Sequence, residues 1–383
     1  LASLLRDRPA STAAMIAALG DETLLRAALD FEAALARAQA AEGLIPAEAA
    51  DVIAETCAGA RFDIADLAEA AAHAGTLAIP LVFRLRALVA ERDGQAAKLV
   101  HRGATSQDVA DTALMLQAKA AAGLIVDATL TLTNALAGLV ERYAATPMLG
   151  RTLLQDALPI TFGLRAANWL LGIDAALRRF EREATDALIL QLGGASGSLA
   201  GLEFRVVERV AADLGLGVAP MPWQSRRDGV AGLAGALAIL VGAIGKIARD
   251  VSLMAQSQVG EAFEPRIEGR GGSSAMDHKR NPTGCQVALS AAIRAPGIAA
   301  AIFSGLPQEQ ERGLGGWQAE APGLATLFEL AHGALAAMTQ VIEGLEVDTA
   351  TMSRNLGAAA VGSDVGQSAD LVRRALASYR KER

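Results

Sequence analysis

Between residues 230 and 254 the apolar positions recur at steps of three and four: Val230, Leu233, Leu237, Leu240, Ile244, Ile247, Val251 and Met254. That spacing puts one side chain per turn on one helix face, a seam of the coiled-coil type. Most other positions here are apolar or small, and a helix apolar on every side is buried on every side. Residues 229–245 form an uncharged run of 17, the bottom edge of a membrane-spanning length. The seam continues past Lys246, Arg249 and Asp250. It therefore favours burial in a multi-helix or multi-subunit core over insertion into a bilayer.

Prolines divide the rest of the chain. None lies between Pro80 and Pro147, between Pro159 and Pro220, or between Pro222 and Pro265. An interior proline breaks a helix, so these gaps are where long helices fit. The pattern predicts central helices at about 106–144, 158–191, 227–259, 281–304 and 321–345. Shorter amphipathic helices precede them. One opens at the cap candidate Asp21 and stops at Gly43 and Pro46. No segment alternates with period two between hairpin turns, so the fold class is all-α. The expected layout is a small helical domain (1–100), a bundle of long helices (101–345) and a short helical tail (346–383). Helices of this length exceed the width of a small domain. Symmetric oligomerisation is the natural way to cover their apolar faces.

Composition narrows the function classes. The 383 residues are 52% hydrophobic but only 4% aromatic, so the core is aliphatic. Lys and Arg total 35 against 42 Asp and Glu, a net charge of -7. With no recurring basic run, sequence-independent nucleic-acid binding is not expected. Cys57 and Cys285 stand alone, which suggests neither a disulfide framework nor a zinc site. Of the histidines His73, His101, His278 and His332, no two form a His-x-x-x-His pair, so ligand supply argues against a catalytic metal. The first residues lack a long apolar core and do not read as a secretory signal. A cytoplasmic protein with a truncated start is expected.

The candidate chemistry lies between the helices. Residues 269–282 read GRGGSSAMDHKRNP. Gly269, Gly271 and Gly272 make the first part permissive. Ser273 and Ser274 supply hydroxyls. His278, Lys279, Arg280 and Asn281 precede Pro282, which suits a first helical position. Donors and cations at a helix start make an anion site. The bland alternative is a glycine linker with a solvated charge cluster.

This segment resembles the signature of the fumarase/aspartase superfamily, G-S-S-x-M-P-x-K-x-N-P, with Asp277 where the first Pro is usual. The resemblance implies that Ser273 moves a proton at the carbon next to a carboxylate. It implies that Lys279 holds that carboxylate as it gains enolate character, where a preorganised cation is most effective. Asn281 adds a hydrogen bond, and Ser274 and Arg280 are counted with the substrate-binding residues.

HRGATSQDVADTALMLQ, 101–117, resembles the superfamily's first conserved region. That implies Thr105, Ser106 and Gln107 as carboxylate ligands, although Ser106 and Asp108 also read as plain helix caps. His101 either lines the site or satisfies a core hydrogen bond. GRTLLQDALPITFG, 150–163, resembles the second region, G-x-T-H-x-Q-x-A-x-P. Thr152 and Gln155 match it as ligands, but Leu153 stands where the family carries His. A leucine donates no proton. The reaction should then release a group that departs without one.

The 3-carboxy-cis,cis-muconate cycloisomerase branch meets that demand. Its members add a substrate carboxylate across a C=C bond to form a lactone, 4-carboxymuconolactone, in protocatechuate breakdown. In reverse a carboxylate departs, and with a pKa near 4 it leaves unprotonated at neutral pH. QEQERGLGGWQAEAPGL, 308–324, resembles the same branch, with Arg312 as a substrate-binding residue. Gly316 and Glu320 stand where adenylosuccinate lyases carry Ser and Arg for a phosphate, and a carboxylate at Glu320 would repel one. PWQSRRDGVA, 222–231, is similar too, with Gln224 in place of His; Trp223 is either a site residue or core packing.

The resemblance spans roughly residues 20–360. It implies a small polycarboxylate substrate, no cofactor, no metal, and a homotetramer whose twenty-helix core builds each site from three subunits. Two alternatives stay open. One is a superfamily lyase that releases fumarate, with Asp156 or His101 as substitute donor. The other is a helical scaffold that has lost activity.

Overall fold

The computed structural model describes residues 4–272, 276 and 279–381. In chain order its helices are α1 (Leu4–Asp7), α2 (Ala13–Ala18), α3 (Asp21–Ala41), α4 (Ala47–Gly59), α5 (Ile64–Ala74), α6 (Ala78–Ala90), α7 (Ser106–Arg142), α8 (Phe162–Ala187), α9 (Phe204–Leu214), α10 (Asp228–Met254), α11 (Thr283–Ser304), α12 (Gly316–Glu343), α13 (Thr349–Ala359) and α14 (Ser368–Lys381). Helix α3 stops as expected before Gly43, whose φ is 70°. Its N-cap is Gly20 rather than Asp21. Asp21 is the first helical residue, where its charge complements the helix dipole.

All five long central helices are present. The seam of α10 is buried along its whole length, from Val230 at 1% exposure to Met254 at 2%. It packs against α8, α11 and α12. Helix α12 begins at Gly316, ahead of the expected 321, and Pro322 is interior to it. Pro296 is likewise interior to α11. The N-terminal helices, the bundle and α14 contribute to one contiguous core.

The expected helix start at 158 is a correction. Strand β1 (Pro147–Thr152) pairs antiparallel with β2 (Gln155–Thr161), and α8 begins only at Phe162. Thr161 caps it by accepting the Leu164 N–H. Leu153 and Leu154 form the turn between the strands with φ of 51° and 65°. Tight hairpin turns with two positive φ values normally carry Asn-Gly or Asp-Gly. A Leu-Leu pair gives no such signal. The register shifts between Leu149 and Arg151. Gly150 permits this, since a Cβ there would stand 2.5 Å from the Leu158 carbonyl oxygen. A second pairing joins β3 (Ala262–Phe263) to β4 (Glu346–Val347).

Helices α7, α10, α11 and α12 are long and apolar enough to cross a membrane by length and composition. In the fold they pack on one another and on α8. Ile293 on α11 stays 75% exposed and Ile239 on α10 48% exposed, so part of the apolar surface has no cover within one chain.

Candidate active site

The start of α7 is locked by one buried carboxylate. Asp108 Oδ2 accepts the backbone N–H groups of Thr105 and Gly194, each at 2.9 Å. Its Oδ1 accepts the Gly193 N–H and the Gln191 amide, each at 3.0 Å. Burial pushes Asp108 up to about 6 while these four donors pull it down. Asp108 is thus a cap, as one reading allowed, and it also ties residues 191–194 to the helix.

One turn further, Asp111 takes part in a buried ion cluster. Arg227 Nη1 and Nη2 donate to the two Asp111 oxygens at 2.7 and 2.8 Å. Arg227 Nε donates to Glu320 at 3.0 and 3.1 Å. All three side chains are 2% exposed or less. Two carboxylates share one guanidinium, so the cluster carries one net negative charge. Glu320 therefore faces its own partner inside the fold rather than a ligand. The guanidinium also lies over the Trp223 ring, 4.7 Å from its centroid. Trp223 Nε1 donates to the Leu190 carbonyl at 3.0 Å, so its place is in the core.

Gln107 is fully buried. Its amide donates to Asp111 at 3.1 Å and to the Gln224 carbonyl at 2.8 Å. The Gln224 side chain donates in turn to the Glu311 carbonyl at 2.8 Å. The cluster and this chain of amides hold three segments together: the start of α7, the 222–227 loop and the approach to α12. They bring Arg312 onto Thr105. Arg312 Nη2 donates to Thr105 Oγ1 at 2.8 Å and to the Ala195 carbonyl at 3.1 Å. Its Nε is buried without a partner. Ser106 is the half-buried first residue of α7. His101, just ahead, has its Nδ1 2.6 Å from Glu32 Oε1.

The other candidates lie elsewhere in the chain. Thr152 and Gln155 pair across the hairpin turn and are exposed. Leu153 at the tip is 96% exposed. The hairpin is anchored from behind, where Arg151 donates twice to the buried Glu261 at 2.8 Å. Asn355 donates to the same carboxylate. In the glycine-rich segment, Lys279 is exposed. Arg280 is engaged with both Glu346 oxygens and the Glu264 carbonyl, and it covers the Phe263 ring. Asn281 N–H donates to the Gly271 carbonyl at 2.9 Å, which closes the base of the segment. Ser273, Ser274, Asp277 and His278 lie outside the described residues. An open cleft of about 610 Å³ runs beside Gly271, Gly272, Asn281 and Ser252. Among the described residues no group of His, Cys, Asp and Glu side chains is arranged to hold a metal.

Motif reading gave no role to four residues that shape this region: Glu32 and Gln191, and Asp111 and Arg227, which lie inside the 101–117 and 222–231 matches. One carried a usable signal: Glu32 is a lone acid on a face of α3 otherwise made of Ala28, Leu29, Leu35 and Ala36, and a buried charge needs a partner.

Long central helices with ligand-bearing segments at their ends define the class, an all-α lyase fold. The chain belongs to the lyase family, whose model matches residues 9–297. It is 52% identical over 352 residues to the 3-carboxy-cis,cis-muconate cycloisomerase of Bradyrhizobium diazoefficiens, covering 91% of this chain and 78% of that one. It is 42% identical over 352 residues to a nitrosuccinate lyase of Streptomyces davaonensis, covering 89% and 74%. The crystal structure of the 3-carboxy-cis,cis-muconate lactonizing enzyme from Pseudomonas putida matches with a TM-score of 0.93 at 36% identity, covering 99% of each chain. The fold is that of the fumarase/aspartase superfamily, as the signature implied.

Proposed function

We propose that this chain is an isomerase that lactonises 3-carboxy-cis,cis-muconate to 4-carboxymuconolactone. The observation that carries the reading is the end-to-end match to the lactonizing enzyme, 99% of each chain at a TM-score of 0.93. The chemistry agrees with the residues. Ring closure builds charge on a carboxylate next to the carbon that is then protonated. Lys279 stabilises that aci-carboxylate. Ser273 delivers the proton to carbon, and removes it in the reverse direction. Arg312 and Thr105, joined at 2.8 Å, hold a substrate carboxylate with Ser106. Thr152, Gln155, Ser274, Asn281 and His101 complete the site. Leu153 is compatible because a departing carboxylate needs no proton donor.

Among the described residues no hydrogen bond or ion pair joins three groups to one another: Thr105 and Ser106 at the α7 start, Thr152 and Gln155 at the hairpin tip, and Lys279 and Asn281. A homotetramer whose subunits share each site reconciles that separation, and it covers the exposed faces of α10 and α11. The reading carries with it a cytoplasmic enzyme of protocatechuate breakdown. A second reading, release of a group from a succinate carbon, is favoured by the identity to nitrosuccinate lyase. Incubation with 3-carboxy-cis,cis-muconate, nitrosuccinate and adenylosuccinate in parallel, with products resolved by proton NMR, separates the two. Lactone from the first substrate alone supports the proposal. Fumarate from either of the others, with no lactone, overturns it.

A further inference from the structure

Glu32 is an acid in an apolar place. It lies on α3 between Phe31 and Ala33, and it is 1% exposed. Oε1 is 2.6 Å from His101 Nδ1, while Oε2 is buried without a partner. A carboxylate has thus been taken out of water for a single side-chain contact. Desolvating a charge is costly unless it is fully paired, so its one partner should matter.

His101 is unusual in its own right. Its φ is 62°, a left-handed backbone that non-glycine residues adopt at a cost, and such strain gathers at functional sites. The side chain keeps 15% of its surface exposed. With Nδ1 on Glu32, the free edge is Nε2, which has no partner among the described residues. Four positions on, Thr105 accepts from Arg312. The charged groups that face the ring are Glu32 from α3, Asp108 from α7 and Arg86 from α6. Burial lowers the pKa of His101. The hydrogen bond and charge of Glu32 raise it more, Asp108 adds to the rise and Arg86 opposes it, so the ring ends above its ordinary value.

We propose that Glu32 is a positioning residue for substrate binding: it fixes His101 as an imidazolium whose Nε2–H binds a substrate carboxylate. This rests on the cycloisomerase reading for the identity of the substrate. No covalent step is involved. The ring stays protonated throughout, and the proton for carbon comes from another group. The dyad acts on affinity, so its loss is read in KM rather than kcat. The sign of the pH dependence follows from linkage. A bound carboxylate favours the charged ring, so affinity is full at low pH and is lost as pH rises through the pKa of His101 in the free enzyme.

The test uses the full-length protein and the variants Glu32→Gln and His101→Gln. Glu32→Gln should raise KM for 3-carboxy-cis,cis-muconate on the order of tenfold, the scale of a lost charge-assisted hydrogen bond. It should leave kcat within about twofold and move the rise of KM to lower pH. His101→Gln should abolish that pH dependence of KM. A Glu32→Gln enzyme that is merely less heat-stable, with the wild-type KM and pH profile, overturns the proposal. If the wild type does not turn over this substrate, the functional reading fails, and a second measurement still decides on the dyad. The 13C-labelled imidazole of His101, assigned by its loss in His101→Gln, is titrated with and without tricarballylate as polycarboxylate probe. A His101 pKa that falls in Glu32→Gln and rises with the probe supports the dyad. A pKa insensitive to both overturns it.

Discussion

Removing Arg227 and removing Glu320 should have very different consequences. The buried cluster holds two carboxylates and one guanidinium, every side chain 2% exposed or less. Arg227→Met leaves Asp111 and Glu320 facing each other with no cation and two net charges out of water. Breaking a buried pair in this way costs about 3–5 kcal/mol. Glu320→Gln leaves the Arg227–Asp111 bond pair at 2.7 and 2.8 Å intact. It also takes the net charge of the cluster to zero, so the loss should stay near 1 kcal/mol, the worth of one hydrogen bond. The chain has 383 residues, and at roughly 2.1 cal/mol/K each its unfolding entropy is about 0.8 kcal/mol/K. Arg227→Met should then lower Tm by about 4–6 °C and Glu320→Gln by about 1 °C. Differential scanning calorimetry at a fixed scan rate makes the comparison. Equal shifts for the two variants would refute the charge argument and leave the cluster as packing alone.

Three further outcomes follow from particular contacts. Burial sets Asp108 at about 6 against about 3.9 unfolded. A pKa raised by folding contributes stability that is full below pH 4 and is lost as pH rises through 6, on the order of 3 kcal/mol across the window. Asp108→Asn should flatten the stability profile between pH 4 and 6, and an unchanged slope in urea titrations would contradict this. Cys57 and Cys285 are fully buried. Burial pushes the Cys57 thiol up to about 12 and Cys285 higher still. Neither should react with a disulfide reagent at pH 8 until the protein unfolds, since the thiolate is the nucleophile, and rapid native-state labelling would count against these burials. Gly163 opens α8 against the end of α7, where an added Cβ would lie 2.5 Å from Ala144 Cα. Gly163→Ala must move backbone and should cost about 1–3 kcal/mol, read as a lower urea midpoint.

The parts legible in the sequence were those set by repetition. The α10 seam recurs every three or four residues, so its burial followed from spacing. The proline gaps located α7 and α10, and their starts fell within a turn of expectation, although α10 ends at Met254 rather than at 259. The β1–β2 hairpin was illegible because its turn is Leu153–Leu154, which lacks the glycine and asparagine that normally betray positive φ. Helix α12 starts at Gly316, ahead of the expected 321, and carries Pro322 inside it, against the rule that an interior proline breaks a helix. The signature segment and the Thr105 region were legible as motifs, because both are contiguous. Contacts across the fold were not. Asp111, Arg227 and Glu320 are far apart in sequence and meet only when α7, α10 and α12 pack. Glu320 therefore read as an unfavourable neighbour for a phosphate when it is the counter-ion of Arg227. Glu32 and His101 form a pair of the same kind.

The central claim is the reaction, and the most direct measurement is the ultraviolet absorbance of 3-carboxy-cis,cis-muconate mixed with the purified protein. Lactone formation removes the conjugated diene, so absorbance should fall rapidly. The fall should be largely abolished in Ser273→Ala, with the oligomer intact by size-exclusion chromatography. Unchanged absorbance with the wild-type protein, together with fumarate appearing from adenylosuccinate or argininosuccinate, would contradict the account. It would mean that a group other than the one displaced by Leu153 donates the proton.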